Sequence, residues 1–466
     1  MESALQPIID EFKVDAFDAL HFKLLREKSD LQEGESFNPE MTHQIFGESE
    51  KIFGYKDLNV TVAVMAGSLS TYVDIKYSEK ISPNLSKGVE PDDIIKEMSK
   101  IYDEKLITSE AAFWETFEEE LSFRPFGTLK SGYTLNKGGH AHEFVIYHVD
   151  QSADNFDEFI KYHKRMEPFL IYFIDGSSFI TLDENWSFYI LYEKFTSHSS
   201  PEKRYGLVGF LTVYAFYAFP EHVRPRISQA LILPPFRGMG HATRLLEAVY
   251  DDFVPLPKVV DITVEEPSVE FQRLRDFLDC KRCLQLNECV QQIKLAIVSS
   301  NALATNGHTI GADGDTPSCP KRRRTSVVAS AVTLNPASPF VCVAREKLKL
   351  CRKQAYRVYD ILRLFLLPRT NTEAETKYKN ALRERTKIIY RRVNVKSMYT
   401  DPTSATVNGD MEKRAESLLM ATLMDQQLEQ EVTALADSLW DSYSSVVQKL
   451  DEAIEAGDFT VDKNFP

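Results

Sequence analysis

The most regular stretch of the chain is His241–Phe253, where Ala242, Leu245, Leu246, Val249, Tyr250 and Phe253 fall at i, i+3, i+4, i+7, i+8 and i+11. That stripe predicts an amphipathic helix. Upstream, Phe169–Ile174, Ser187–Tyr192, Gly206–Phe219 and Ile227–Leu233 are rich in β-branched and aromatic residues, with turn chemistry between them, and Val259–Val264 repeats the pattern downstream. These runs predict strands. Their spacings are short except after Ile227–Leu233, where Pro-Pro-Phe-Arg-Gly-Met-Gly leads into the helix. An antiparallel meander therefore feeds a strand–turn–helix–strand unit. Nearer the start, Ile8–Arg26 reads as an amphipathic helix, Leu58–Val64 and Thr71–Tyr77 as strands, and Asp92–Tyr102 and Ser109–Ser122 as helices. Glu115, Glu118, Glu119 and Glu120 then form the wet face of the last of these.

Beyond the meander the texture changes. Asn301–Ser338 is rich in Gly, Ser, Thr, Ala and Pro and poor in large apolar residues, which predicts a disordered linker. It contains Pro320-Lys321-Arg322-Arg323-Arg324, a run with the composition of a nuclear import signal. Ala344–Leu367 and Glu373–Val393 read as charged helices. In Glu412–Leu450, Leu428, Val432, Leu435, Leu439 and Val446 recur at three- and four-residue steps with Ser442 breaking the seam, which suggests a helical hairpin or short coiled coil. The expected organisation is α+β, with parts at 1–135, 136–290, 291–338 and 339–466.

Composition narrows the class. Of 466 residues, 43% are apolar and 27% charged, which excludes wholesale disorder. Six cysteines fit no disulfide framework, and Met1–Leu20 carries Glu2, Asp10, Glu11, Asp15 and Asp18 where a signal peptide would need an apolar core. The longest apolar stretch, Phe210–Phe219, is too short to span a bilayer. A soluble intracellular protein with reduced thiols is expected. The net charge is −14, and Met1–Glu120 alone, with 26 acidic and 12 basic residues, accounts for all of it. Such a field attracts a cationic partner such as a basic peptide and repels nucleic acid.

The chemistry concentrates in Arg237-Gly238-Met239-Gly240-His241-Ala242, between a strand and a helix start. Two glycines let the backbone turn tightly, and successive N–H groups at a helix N-terminus suit a pyrophosphate. No Lys-Ser/Thr follows, so this is not a P-loop, and Thr243 stands where a dinucleotide fold would need a third glycine. Arg/Gln-x-x-Gly-x-Gly/Ala does match, through Arg237, Gly240 and Ala242. The arrangement resembles the acetyl-coenzyme A (acetyl-CoA) site of the GNAT N-acetyltransferases. The longer string Arg224–Ala242, with Phe37–Gly47, Phe53–Lys56, Asp261–Ser268, Arg273–Phe277 and Arg357–Leu364, is similar to the type B histone acetyltransferase family, over roughly Phe12–Leu367.

That resemblance implies a central acetyltransferase domain at 136–290 and an acidic N-terminal domain at 1–135 that helps bind a histone tail. The activity implied is acetylation of free, newly synthesised histone H4 by direct transfer from acetyl-CoA, with no metal. Lysine titrates near about 10.4, so about one amine in a thousand is free at neutral pH and a general base is needed. The family places the base at Glu265 and an acidic residue at Glu266; adjacent residues of an extended chain point apart, so both reach one amine only across a bend. A third carboxylate matches Asp175, where Glu is expected. Main-chain groups of Ala230, Leu231 and Ile232 are assigned to the thioester and pantetheine arm, Gly238, Met239, Gly240, His241, Ala242 and Thr243 to the pyrophosphate, and Arg237 to a charged clamp. Glu48 and Glu50 match contacts to the basic tail, Tyr214, Ala215 and Phe216 (Tyr expected) a strand lining the peptide groove, and Trp186 a residue near the lysine channel. Implied partners are histone H4 with its dimer partner H3 and a WD-repeat histone-binding chaperone, with no direct grip on DNA or membrane, in nucleus and cytoplasm. Cys280, Cys283 and Cys289 have zinc-like spacing without a second pair, and buried thiols are the simpler expectation. Two other readings stand: a histone-binding chaperone module with a vestigial cofactor site, to which Asp175 and Phe216 leave room, or an acetyltransferase for a non-histone amine.

Overall fold

Strand pairing overrides helical periodicity at the start of the chain. The expected helix at Ile8–Arg26 is replaced by a short strand (Lys13–Asp15), one helical turn (Ala16–Ala19) and strand β1 (Leu20–Leu25). β1 lies parallel to β2 (Asn59–Met65), which pairs antiparallel with β3 (Thr71–Lys76). Phe22 is buried there against Phe37, Tyr172 and Phe173, at ring separations of 4.8–5.9 Å around the cluster. No propensity within 8–26 could announce partners so far along the chain. The computed structural model describes residues 9–82, 88–196, 202–295, 339–368, 372–398 and 411–461. The basic run at 320–324 and nearly all of the expected linker lie outside them.

The chain divides into two units, Met1–Val260 and Asp261–Pro466. In the first, β4 (Thr128–Lys137), β5 (His140–Val149), β6 (Trp186–Thr196), β7 (Lys203–Ala218) and β8 (His222–Ile232) run side by side in the order β8-β7-β6-β5-β4, each antiparallel to its neighbour. Hairpin β4–β5 went unforeseen, and the boundary expected at 135 falls inside β4. Phe169–Ile174, expected as a strand, is the end of helix α1 (Phe156–Phe173), with Pro168 inside it. Residues 166–173 are all buried, and a run apolar on every side carries no period that separates strand from helix. Helix α2 spans His241–Phe253, as the stripe predicts.

Alternation along β6 places the two helices on opposite faces of the sheet. Phe188 packs edge-on against Phe159 of α1 at 4.8 Å, while the neighbouring Tyr189 donates to Asp252 of α2 at 2.9 Å. On α1, His163 is fully buried beside Phe188, and neither ring nitrogen makes a hydrogen bond among the described residues. Burial, helped by the neighbouring Lys164 charge, pushes its pKa down to about 3. A depressed histidine stabilises the fold fully above its unfolded value near 6.5, and that contribution is lost as pH falls toward 3. Between pH 6.5 and 4.5 the parent should therefore lose about 2–3 kcal/mol more than His163→Leu, at about 1.4 kcal/mol per pH unit. Urea unfolding at several pH values measures the difference; parallel losses in the two proteins would refute the assignment.

The described residues of the second unit are helical apart from β9 (Thr263–Val264), a remnant of the strand expected over Val259–Val264. It comprises α3 (Val269–Gln285), α4 (Pro339–Leu348), α5 (Arg352–Phe365), α6 (Thr372–Met398) and α7 (Met411–Glu455). The helix expected over Ala344–Leu367 is broken at Lys349, whose φ is +55°. Cys280, Cys283 and Cys289 belong to this unit's core with Phe340, Leu362 and Val446, which is why a boundary near 290 does not separate α3 from the C-terminal helices. Ser442 completes the α7 seam: it is 7% exposed and accepts from Arg357, whose Nε also donates to Asp276 at 2.5 Å. Leu435, expected in the seam, is 45% exposed.

Candidate active site

β8 runs into the glycine turn through a main-chain alternation that decides which groups face outward. Leu233 N–H donates to Val208 O at 2.9 Å, and Leu231 pairs with Phe210 in the same register. Leu231 N–H is thus used within the sheet, whereas Ala230 and Ile232 present their peptide groups on the edge away from β7. Arg237 Nε donates to Ile232 O there at 2.9 Å. A 3₁₀ turn at Pro234–Phe236 follows, then Gly238 and Gly240 with φ of +77° and +82°. A Cβ on either glycine would meet nothing within 4 Å, so the space in front of the turn is open. Gly240 caps α2 without any side chain, so the first N–H groups of that helix look onto this space.

Side chains around the turn brace it. The Arg237 guanidinium, expected as a clamp for phosphate, is gripped by both carboxylate oxygens of Glu40, whose own N–H donates to Tyr172 O at 2.9 Å. His241 is buried, its Nδ1 hydrogen-bonded to the Tyr133 hydroxyl at 2.7 Å and its ring 4.4 Å from that of Phe144. It therefore offers the site only its main chain. Leu245, Leu246, Val249 and Tyr250 bury the other face of α2.

The loop 174–185 carries Asp175, whose side chain is 84% exposed with His43 Nε2 at 3.8 Å. Several neighbours hold this loop, the Glu167 carboxylate among them through the Ile180 main chain. Gln229 Nε2 donates to Ser178 O at 3.0 Å, Trp186 Nε1 to Thr181 O at 3.1 Å, and Tyr214 Oη to Asp183 at 2.9 Å. The last bond raises the Tyr214 phenol above its usual pKa. Trp186, Tyr214 and Phe216 meet edge to face in sequence at 4.9 and 4.6 Å, with the Arg226 guanidinium 4.7 Å from the Phe216 ring. Ala215 sits between them in the strand, and its N–H donates to Asn185 O. The structure thus assembles the expected groove residues into one aromatic run edged by Asp183.

Glu48 and Glu50 fare differently. Glu48 is exposed, while Glu50, with φ of +50°, accepts both the N–H and the hydroxyl of Thr42 at 2.7 Å. Those bonds hold its pKa below the ordinary carboxylate value, so Glu50 shapes its own turn. In the second unit, Glu265 and Glu266 follow β9 and are both exposed. Glu266 has φ of +32°, a bend of the kind that two adjacent carboxylates need. The segment is held from within its unit by Arg275 Nη2 donating to Ile262 O at 2.8 Å and Ile262 N–H donating to Lys349 O at 2.8 Å. Burial raises the Cys280 and Cys283 thiols, as expected of core cysteines. Among the described residues no group of His, Cys, Asp and Glu is placed to hold a metal ion. Sequence reasoning missed Glu40, Asp183 and Gln229; of these only Gln229 carried a signal, as a polar residue inside an apolar strand.

Comparison with known proteins bears on this geometry. Residues 12–175 match the family model described as "Histone acetyl transferase HAT1 N-terminus", and residues 337–364 that of "Histone acetyltransferase type B catalytic subunit, C-terminal". The histone acetyltransferase type B catalytic subunit of Homo sapiens is 31% identical over 458 residues, covering 97% of this chain and 96% of its own length. That of Mus musculus is 33% identical over 388 residues, covering 82% and 83%. Among solved structures, an aminoglycoside acetyltransferase from an uncultured soil metagenomic sample is 12% identical over 38% of this chain and 97% of its own, with a TM-score of 0.20.

Proposed function

The chain belongs to the histone acetyltransferase type B catalytic subunit family, and from that premise we propose that it acetylates lysine in the N-terminal tail of free, newly synthesised histone H4, using acetyl-CoA and a glutamate base. The observation that supports the cofactor assignment is the open cradle at Gly238 and Gly240, which side chains would fill and at which α2 begins on a glycine with no side-chain cap. Gly238, Met239, Gly240, His241, Ala242 and Thr243 fit the pyrophosphate through main chain, and Ala230 and Ile232 offer outward peptide groups to the arm. Acetyl-CoA, when bound, supplies the acetyl group as an activated thioester. Arg237, through Glu40 and Ile232 O, keeps the turn in place.

On the acceptor side, the Trp186–Tyr214–Phe216 run and Asp183 suit an aliphatic, cationic side chain: rings cover the methylenes and a carboxylate neighbours the charge. Glu48 and the acidic first quarter extend the attraction to the rest of a basic tail. A Glu265 carboxylate oxygen takes the proton from the lysine ammonium, leaving the neutral amine as nucleophile. Both Glu265 and Glu266 are exposed. Histone H3 enters with H4 as its dimer partner, a WD-repeat chaperone presents the pair, and the enzyme works in cytoplasm and nucleus without holding DNA. The test is transfer from labelled acetyl-CoA to free H4, to nucleosomes and to a small polyamine. Strong labelling of the free H4 tail is expected. Labelling of the polyamine alone, or tight H4 binding without any transfer, would overturn the proposal.

A further inference from the structure

One buried amide links the two parts of the first unit on which the reaction depends. Gln229 lies in β8 at a bulge: Leu211 pairs with Ala230 but Val213 pairs with Ile227, so β8 carries an extra residue there. Its neighbours in the strand, Ile227 and Leu231, are apolar and buried. An apolar residue would satisfy packing at 229 as well, whereas a buried amide costs stability unless each polar group is paired. Gln229 is 7% exposed, and its N–H, Oε1 and Nε2 are all hydrogen-bonded. Its N–H donates to Thr212 Oγ1 at 3.1 Å, its Oε1 accepts from that hydroxyl at 3.4 Å, and its Nε2 donates to Ser178 O at 3.0 Å. Thr212 is fully buried. Of the other anchors, Trp186 to Thr181 and Tyr214 to Asp183 are exposed bonds that water can replace. Ala215 N–H to Asn185 O holds the end of the loop, and the buried Glu167 carboxylate accepts from the Ile180 main chain. Gln229 is the tether that ties the loop to the β8 bulge.

We propose that Gln229 is a positioning residue for acetyl transfer, fixing the loop 174–185 against the bulge in β8. It thereby sets the position of Asp175 and of the acidic edge at Asp183 relative to the Ala230–Ile232 main chain. The consequence for the reaction rests on the proposed function, because it takes those main-chain groups as the place of the thioester; the tether itself does not. Thr212 acts one step further back. By engaging both the backbone and the side chain of Gln229, it selects the rotamer that points Nε2 at the loop. A displacement of the acceptor lysine by a fraction of an ångström to about 1 Å is the expected result of losing the tether, and errors of that size cost rate rather than cofactor affinity.

The test uses the full chain with Gln229→Met, which keeps the volume but has no donor, and Thr212→Val, which removes the hydroxyl. In both, kcat for H4 acetylation is expected to fall between about tenfold and a hundredfold. Acetyl-CoA affinity by calorimetry should stay within about twofold, and amide exchange of residues 174–185 should quicken while that of α2 does not. A merely structural role would lower thermal stability and leave kcat per folded molecule unchanged. Unaltered loop exchange in folded variants, or unaltered kcat, overturns the proposal. If the parent fails to acetylate H4, the proposed function falls, and loop exchange that quickens with acetyl-CoA affinity retained still upholds the tether.

Discussion

Replacing Glu265 by Gln is expected to slow acetyl transfer to free histone H4 by about a hundredfold or more, the ordinary range of a general base. The substitution keeps size and hydrogen-bonding reach and removes only the ability to hold a proton. Glu265 is exposed, so neither the fold nor acetyl-CoA binding should suffer, and a calorimetric titration with the cofactor separates a dead enzyme from an unfolded one. The pH profile gives a second signature. With the base gone, the rate depends on the small fraction of lysine that is already neutral, and it should climb steadily through the alkaline range. Glu266→Gln and Asp175→Asn are the comparisons, because Glu266 sits at the bend and Asp175 is open to solvent beside His43. Equal rates in Glu265→Gln and the parent would move the base to one of them or to a water.

The largest effect on stability is expected at Glu120, a residue that helical periodicity assigns to solvent. It is 2% exposed, and its carboxylate accepts the N–H groups of Gly67 at 3.0 Å and Ser68 at 2.7 Å, with Arg204 Nη2 at 3.4 Å. Burial raises its pKa, and those N–H donors and the Arg204 charge work against that rise. Arg204 is itself 2% exposed and keeps only Glu27, at 3.6 Å, as a charged partner among the described residues, so Glu120→Ala leaves a buried cation under-compensated and two turn amides without their acceptor. A loss of about 3–5 kcal/mol is expected, read as a lower denaturant midpoint for the first unit. Glu119, one residue back, bonds Arg165 at 2.6 Å from the surface, and Glu119→Ala should cost less than about 1 kcal/mol. Similar costs at the two positions would show that the Glu120 site is hydrated.

What the sequence discloses follows the range of the forces involved. Helix α2 and the turn before it are legible because their determinants are local: a 3.6-residue stripe and two glycines whose left-handed backbone few other residues tolerate. The end of α1 is illegible because Phe169–Phe173 is buried on all sides. β1 is illegible because its partner lies some forty residues away, and β4 because an edge strand with Lys130, Ser131, Gly132 and Asn136 lacks a clear apolar alternation. The site divides in the same way. The cradle is a local motif, and the aromatic run follows from register between β6 and β7. The second roles of Arg237, Glu50 and Gln229 depend on contacts that no linear pattern encodes.

The ring of His241 has a kinetic consequence. The first residue of α2 is locked by Tyr133 and Phe144, and the Tyr133 contact closes a span of 108 residues. A helix as amphipathic as α2 can flicker into being within microseconds, but its N-terminus is not seated until that distant hairpin has folded and returned. The entropy of closing so long a loop is spent before the glycine turn is seated. The proposed cofactor site is therefore a late property of the folding chain, acquired with its long-range topology. A nascent polypeptide emerging from the ribosome is expected to show helical signal at α2 well before that site is formed.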